Sequence, residues 1–161
     1  MKSIYSVHPA VVTHNWQDPV SYLENAERDV EAMYSGGKAK LRPLYDKLLK
    51  LGLKIGKEAK ACPCKTIVPL YRNHVFAQIK PATYTRIDLG FALGDTPVRG
   101  RLIDTGGFAK KDRITHRIPI TSLSDIDAEV MRWLKEAYER DGQAANRAGG
   151  QAGGAKRRLG G

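Results

Sequence analysis

Apolar residues recur at every third or fourth position in three stretches of this chain and at every second position in three others. The first spacing is that of a helix with one buried face, the second that of a half-buried strand. Leu23, Ala26, Val30 and Met33 form the first helical stripe. Ser21 and Glu24 make a capping-box pattern ahead of it, and Ser35-Gly36-Gly37 closes it. Leu41, Leu44, Tyr45, Leu48 and Leu51 form the second stripe, with Gly52 placed to end it in a left-handed turn. Ile126, Val130, Trp133, Leu134, Ala137 and Tyr138 form the third, expected to start at Ser124 and stop at Asp141-Gly142.

The strand spacing lies between the second and third stripes. Thr66–Leu70 is short and β-branched. Val75, Ala77 and Ile79 alternate with Phe76, Gln78 and Lys80; Ile87, Leu89, Phe91 and Leu93 alternate with Arg86, Asp88, Gly90 and Ala92. Short turns join these three, which predicts an antiparallel meander rather than βαβ units. Arg101–Asp104 reads as a further short strand. Ile114, His116, Ile118 and Ile120 share one face of the last, where Pro119 lacks an N–H and places the strand at an edge or at its end. The expected fold is α+β: a single antiparallel sheet of about five strands packed against two helices, at 38–51 and 124–140. Residues 1–37 are expected to be an N-terminal helical extension and 38–141 the core domain. Residues 142–161 are a Gly/Ala-rich basic tail without periodicity, expected to be disordered.

Charge changes this picture. The chain of 161 residues carries a formal net charge of +10. The net is −3 over residues 1–37, +6 over 38–60, +3 over 61–141 and +4 over 142–161, so the excess is concentrated rather than spread. An acidic partner follows as the natural class, nucleic acid first. On the second helix Lys47, Lys50 and Lys54 point away from the apolar stripe, and Lys110, Lys111, Arg113 and Arg117 gather in the loop region before the last strand. The plain reading of both sets is a solvated face; the sharper one is phosphate contact. Lysine, a point charge, argues against base-specific reading. Tyr71, Tyr84 and Phe108 are the aromatic candidates for stacking on a base.

Catalytic and metal chemistry find little support. Cys62 and Cys64 are the only cysteines, too few for a disulfide framework, which favours a reducing cytoplasm. Cys62-Pro63-Cys64 lacks the second ligand pair of a structural zinc site, so no metal or cofactor is expected. His8, His14, His74 and His116 are scattered, and His116, on the apolar face of its strand, reads as a core histidine. Asp104-Thr105-Gly106-Gly107 matches no phosphate-loop spacing and precedes no helix. Asp88 and Asp104 are not followed by the Glu-x-Lys of a metal-dependent nuclease. No catalytic residue is assigned. The N-terminus lacks a signal-peptide core, and no run nears the ~18 apolar residues of a membrane span. A soluble cytoplasmic protein without a membrane partner is expected.

The helix ending Leu48–Gly52, Lys65-Thr66-Ile67-Val68-Pro69-Leu70, Val75-Phe76-Ala77-Gln78-Ile79, Arg86–Leu93 and the closing Ile118–Tyr138 together resemble an uncharacterised bacterial domain-of-unknown-function family. Such domains also occur fused to nuclease-like modules in predicted transport proteins. At the level of fold the order of elements is also similar to YjbR-like double-wing domains. The resemblance implies an α+β domain without established catalytic residues. It carries Lys65 and Phe76 as the positions to look at if the family shares a pocket.

The leading expectation is a non-enzymatic binding or accessory module with a basic surface, binding nucleic acid without sequence specificity through Lys47, Lys50, Lys54, Lys110, Lys111, Arg113 and Arg117. One alternative is a small-ligand or enzymatic pocket between the sheet and the C-terminal helix, lined by Lys65, Phe76, His116 and Trp133. Another is a protein–protein adaptor using the acidic N-terminal helix.

Overall fold

A computed structural model of the chain describes residues 4–8 and 19–143. Three α-helices lie in chain order: α1, Pro19–Met33; α2, Arg42–Lys54; and α3, residues 128–143. The strands are β1 (Lys60–Ala61), β2 (Val68–Tyr71), β3 (Val75–Pro81), β4 (Ile87–Phe91), β5 (Ile103–Asp104) and β6 (His116–Ile120). They form one six-stranded sheet in the order β1-β2-β3-β4-β6-β5, with every pair antiparallel. The α+β architecture is the expected one. The strand beyond the five expected is β1, whose two residues pair with Leu70 and Tyr71 and are too short to show an alternation. Residues 4–8 run beside it, the Ser6 N–H donating to the Ala61 carbonyl at 2.9 Å.

Register follows from the alternation. Val68, Ile79, Leu89 and Ile118 stand in one cross-strand row; Leu70, Ala77, Phe91 and His116 in the next; Pro81, Ile87 and Ile120 in a third. All of these side chains are buried, and they make the face on which the helices pack. The other face carries Gln78, Gly90 and Arg117 in one row and Lys80, Asp88 and Pro119 in another. A one-residue slip would exchange the two faces, so burial of the aliphatic rows fixes the register.

Four local expectations are corrected. Gly52 lies inside α2, not beyond it: a Cβ there would sit 2.6 Å from the Leu70 side chain, so glycine serves the close approach of helix to sheet. Phe76 is fully buried although parity groups it with Gln78 and Lys80. A register shift between Leu70 and Tyr71 sets it apart from that row, and its ring lies edge-on to Tyr138 at 5.3 Å. β6 is not an edge strand along its first residues, because β5 flanks His116 and Arg117; the other reading of Pro119 holds, since it lies beyond that pairing and the strand ends at Ile120. Ile114, finally, leaves the β6 row and rests against Gly90 on the open face.

The third helix also starts later than Ser124. Leu123–Asp125 is a 3-10 turn closed by a Ser122/Asp125 capping box. Asp127 then caps α3, its Oδ1 accepting from the N–H groups of Glu129 (3.1 Å) and Val130 (3.3 Å). The helix runs through Asp141 and Gly142 to residue 143. The tail expected to be disordered lies, from residue 144 on, outside the described residues.

The core joins all three helices. Tyr22, Ala26, Val30 and Met33 of α1, Leu44, Tyr45, Leu48 and Leu49 of α2, and Val130, Leu134 and Ala137 of α3 belong to one buried cluster with the sheet. Tyr5 reaches it as well, its hydroxyl 2.8 Å from that of Tyr45.

Candidate nucleic-acid interface

Exposed α2 residues Lys47, Lys50 and Lys54 lie on the helix's outer side, while its apolar side packs on the sheet. Lys110, Lys111 and Arg113 are exposed on the loop between β5 and β6, and Arg117 stands on the open face of the sheet. The sheet therefore separates Arg117 from the α2 lysines, because α2 covers the opposite face, while Lys111 and Arg113 stand beside α3.

The two arginines are already engaged. Arg117 pairs with Asp88 at 3.2 Å, and Arg86 takes the same carboxylate at 2.9 Å. Arg113 donates through Nε and Nη2 to the Val75 carbonyl, and its Nη2 lies 3.6 Å from Asp141. Asp141 is the best-connected acid near the loop. Its side chain is wholly buried, Oδ2 accepts the N–H groups of Asn73 (2.7 Å) and His74 (2.8 Å), and Oδ1 lies 2.8 Å from His74 Nδ1. One carboxylate thus fastens the end of α3 to the β2–β3 turn.

Two clefts flank Arg113. The larger, about 830 Å³, opens between the β5–β6 loop, the end of β4 and α3. Its charged lining is Lys111, Arg113 and Arg140 against Asp112, Glu136 and Asp141. The smaller, about 610 Å³, lies on the open face, where Lys80, Arg113 and Arg117 meet Asp88, Asp104 and Asp112. Each lining is formally neutral, a poor electrostatic match for a polyanion.

The residues suggested for a pocket sit elsewhere. Phe76, His116 and Trp133 are buried, and neither cleft counts them among its walls. His116 Nε2 lies 2.8 Å from the Thr96 carbonyl, which only accepts, so this nitrogen carries the proton; Nδ1 is 2.7 Å from Thr115 Oγ1. Trp133 donates its Nε1–H to Glu129 at 3.4 Å. Lys65 is exposed and lines a separate hollow with Lys38, Lys80 and Tyr84. Cys62 is fully buried and its thiol is pushed up to about 12 by that burial, whereas Cys64 is exposed. Among the described residues no three His, Cys, Asp or Glu side chains gather to hold a metal ion, and no helix is long and apolar enough to cross a membrane.

A family model described as a domain of unknown function, DUF5655, matches residues 30–141. The chain belongs to this family. No curated protein and no solved structure matches it. The DUF5655 match begins inside α1 and ends on Asp141, the residue that fastens α3 to the sheet. It spans the whole sheet, the smaller cleft and all of the larger one but Gln143, so the sheet and the candidate surfaces belong to the DUF5655 domain.

Sequence reasoning missed several residues that shape these surfaces. Asp141 reads as a helix stop, yet its partners are 67 and 68 positions away. Arg101 reads as strand, yet it clamps the start of α3: its N–H and Nε donate to Glu129 at 2.9 Å each, and Nη2 pairs with Asp127. No local periodicity marks either. Every ion pair among the described residues of the DUF5655 domain is made by an arginine or by His74; no described lysine enters one.

Proposed function

We propose that this DUF5655 domain is a binding module for an anionic polymer, nucleic acid held without sequence specificity, contacted through its unpaired lysines. The observation that carries the reading is the division of labour among cations. Seven arginines, Arg42, Arg72, Arg86, Arg101, Arg113, Arg117 and Arg140, spend donors on internal carboxylates, whereas Lys47, Lys50, Lys54, Lys110 and Lys111 are exposed and have no acidic partner. An ammonium left in water keeps its full charge for a phosphate and reads no base edge. Arg113 and Arg117 then act as struts of the loop more than as ligands. The fusion to nuclease-like modules that the family resemblance implies fits a domain that handles nucleic acid.

The test is fluorescence polarisation with a labelled oligonucleotide of arbitrary sequence at two salt concentrations. Affinity should fall about tenfold or more between 50 and 200 mM salt, independent of sequence. Replacing Lys47, Lys50 and Lys54 together by Ala should weaken binding and flatten the salt slope. Absence of binding at 50 mM salt refutes the reading.

A further inference from the structure

The hollow that holds Lys65 differs from both clefts. It measures about 540 Å³ and is walled by the 3-10 turn Gly36–Leu41, the Lys65-Thr66 turn, the end of β3 and the β3–β4 turn. Its charged lining is Lys38, Lys65 and Lys80, with no carboxylate among the residues that line it. Asp88, the register partner of Lys80, is committed to Arg86 and Arg117. Asp29, whose charge raises the nearby Cys64 thiol after burial does, stands outside the lining. Lys38 is held in place by donating to the Pro81 carbonyl at 2.9 Å, which leaves two of its N–H bonds for a ligand.

An aromatic ring completes the wall. Tyr84 is 65% exposed, more than any other large aromatic side chain described. It is nevertheless supported: a Cβ on Gly37 would lie 3.2 Å from two of its ring carbons, so the ring rests on bare backbone. That leaves the side of the ring away from Gly37 open, in a hollow whose lining includes three cations. An aromatic ring flanked by unpaired lysines, in a space within the ~300–1,000 Å³ of small-molecule sites, suits a base stacked on the ring and a phosphate on the ammoniums. A duplex cannot supply that base without unstacking it.

Resting on the nucleic-acid reading above, we infer that this hollow is a binding site for a single-stranded nucleotide segment, with one base on Tyr84 and flanking phosphate on Lys65, Lys80 and Lys38. A free mononucleotide offers the same chemistry with fewer charges, and the two are told apart by competition.

The experiment is polarisation of a labelled ten-nucleotide oligothymidylate on the full chain, with the matching duplex and thymidine monophosphate as second and third arms. Tyr84→Ala should weaken single-strand binding about tenfold and leave duplex binding unchanged, while Tyr84→Phe retains wild-type affinity. Lys65→Ala with Lys80→Ala should lower the salt slope by about 1.4, the counterion share of two phosphates on a single strand. Thermal melting should be unchanged in all three, since the side chains altered are exposed. If monophosphate competes as well as the decamer, the site takes a nucleotide and the strand proposal falls. If the wild type binds but Tyr84→Ala and the double lysine variant match it, while the α2 triple variant loses affinity, this site is refuted and the wider reading stands. If no form of nucleic acid binds, both fall.

Discussion

The end of α3 and the hollow under Tyr84 are both rich in cations, and they use them in opposite ways. At the end of α3 the groups are arginines and a histidine: Arg113 and His74 are bonded to a carbonyl or carboxylate from a distant part of the chain, and Arg140 to Glu136 one turn back on the helix. In the hollow they are lysines, of which only Lys38 holds a protein group. The chemistry of the two side chains explains the division. A guanidinium is planar, weakly hydrated and donates in a fixed fork, so it repays being ordered; an ammonium is strongly hydrated and is better left in water. Internal pairing removes equal numbers of both signs and leaves the net charge of +10 unchanged. Among the described residues the cations outside any ion pair are the lysines together with Arg28, Arg99 and Arg132.

The largest test of that contrast is Asp141→Ala. The change removes a fully buried carboxylate, takes the acceptor from two backbone N–H groups and removes the anion facing the part-exposed His74 and Arg113. The expected cost is about 3 kcal/mol, which for a chain of this length lowers the melting temperature by roughly 6–12 °C. Asp141→Asn should recover part of it, because an amide oxygen still accepts from one or both N–H groups. Oligonucleotide affinity of the folded protein should not change in either variant. Circular dichroism melts check the first claim; a loss below about 1 kcal/mol would mean that the β2–β3 turn is held by other contacts.

A smaller effect tests the Arg101 clamp. The Glu129 carboxyl is held below the usual glutamate range by the N–H of Arg101 first and by its guanidinium second; the Asp125 carboxyl is likewise lowered, chiefly by the Thr121 N–H. A depressed folded value contributes stability that is complete above the unfolded value, about 4.3 for Glu, and is lost as pH falls through the folded one. Glu129→Gln should therefore lower the melting temperature by a few degrees at pH 7 and by less at pH 3. Its acid limb should be flatter than the wild type's. Equal losses at both pH values would show that charge plays no part in the clamp.

These features divide by sequence distance, and so does what could be read in advance. The rows of β4 and β6 were legible because alternation over five or more residues leaves one solution for which face is buried. The same holds for the stripe of α2. Phe76 defeated parity because it is itself the extra residue of a bulge in β3, unpaired between Val75 and Ala77, which face the consecutive Tyr71 and Leu70 of β2. Asp141, the Arg101 clamp and the lysine hollow were illegible for one reason. Asp141 and the Arg101 clamp join groups 24 or more positions apart, the hollow brings three separate turns together, and nothing in the local spacing of Lys38, Lys65, Lys80 or Tyr84 announces that they meet. Lys65 was singled out through the family likeness, yet for a pocket beside α3. The structure puts it at another wall, with different companions.

The smallest expected effect asks whether one lysine serves both ends of the contrast. Lys111 lies in the wall of the larger cleft and has φ of +63°, the one non-glycine residue described with a left-handed backbone. An L side chain there costs about 1 kcal/mol relative to glycine, through the clash of Cβ with the following carbonyl. Its N–H reaches back to the Phe108 carbonyl at 3.1 Å, so the conformation is fixed by the turn and not by the side chain. Lys111→Gly relieves the strain but frees the unfolded chain, which offsets part of the gain. The net should be a rise of about 1–3 °C in melting temperature. If Lys111 also contacts phosphate, the same variant should lose affinity and about one charge's worth of salt slope while it gains stability. Opposite movement of the two readouts would set this lysine with those of the hollow, kept for a ligand at a cost to the fold. A gain in stability with unchanged affinity would place it with the struts of the cleft and confine binding to α2 and the hollow.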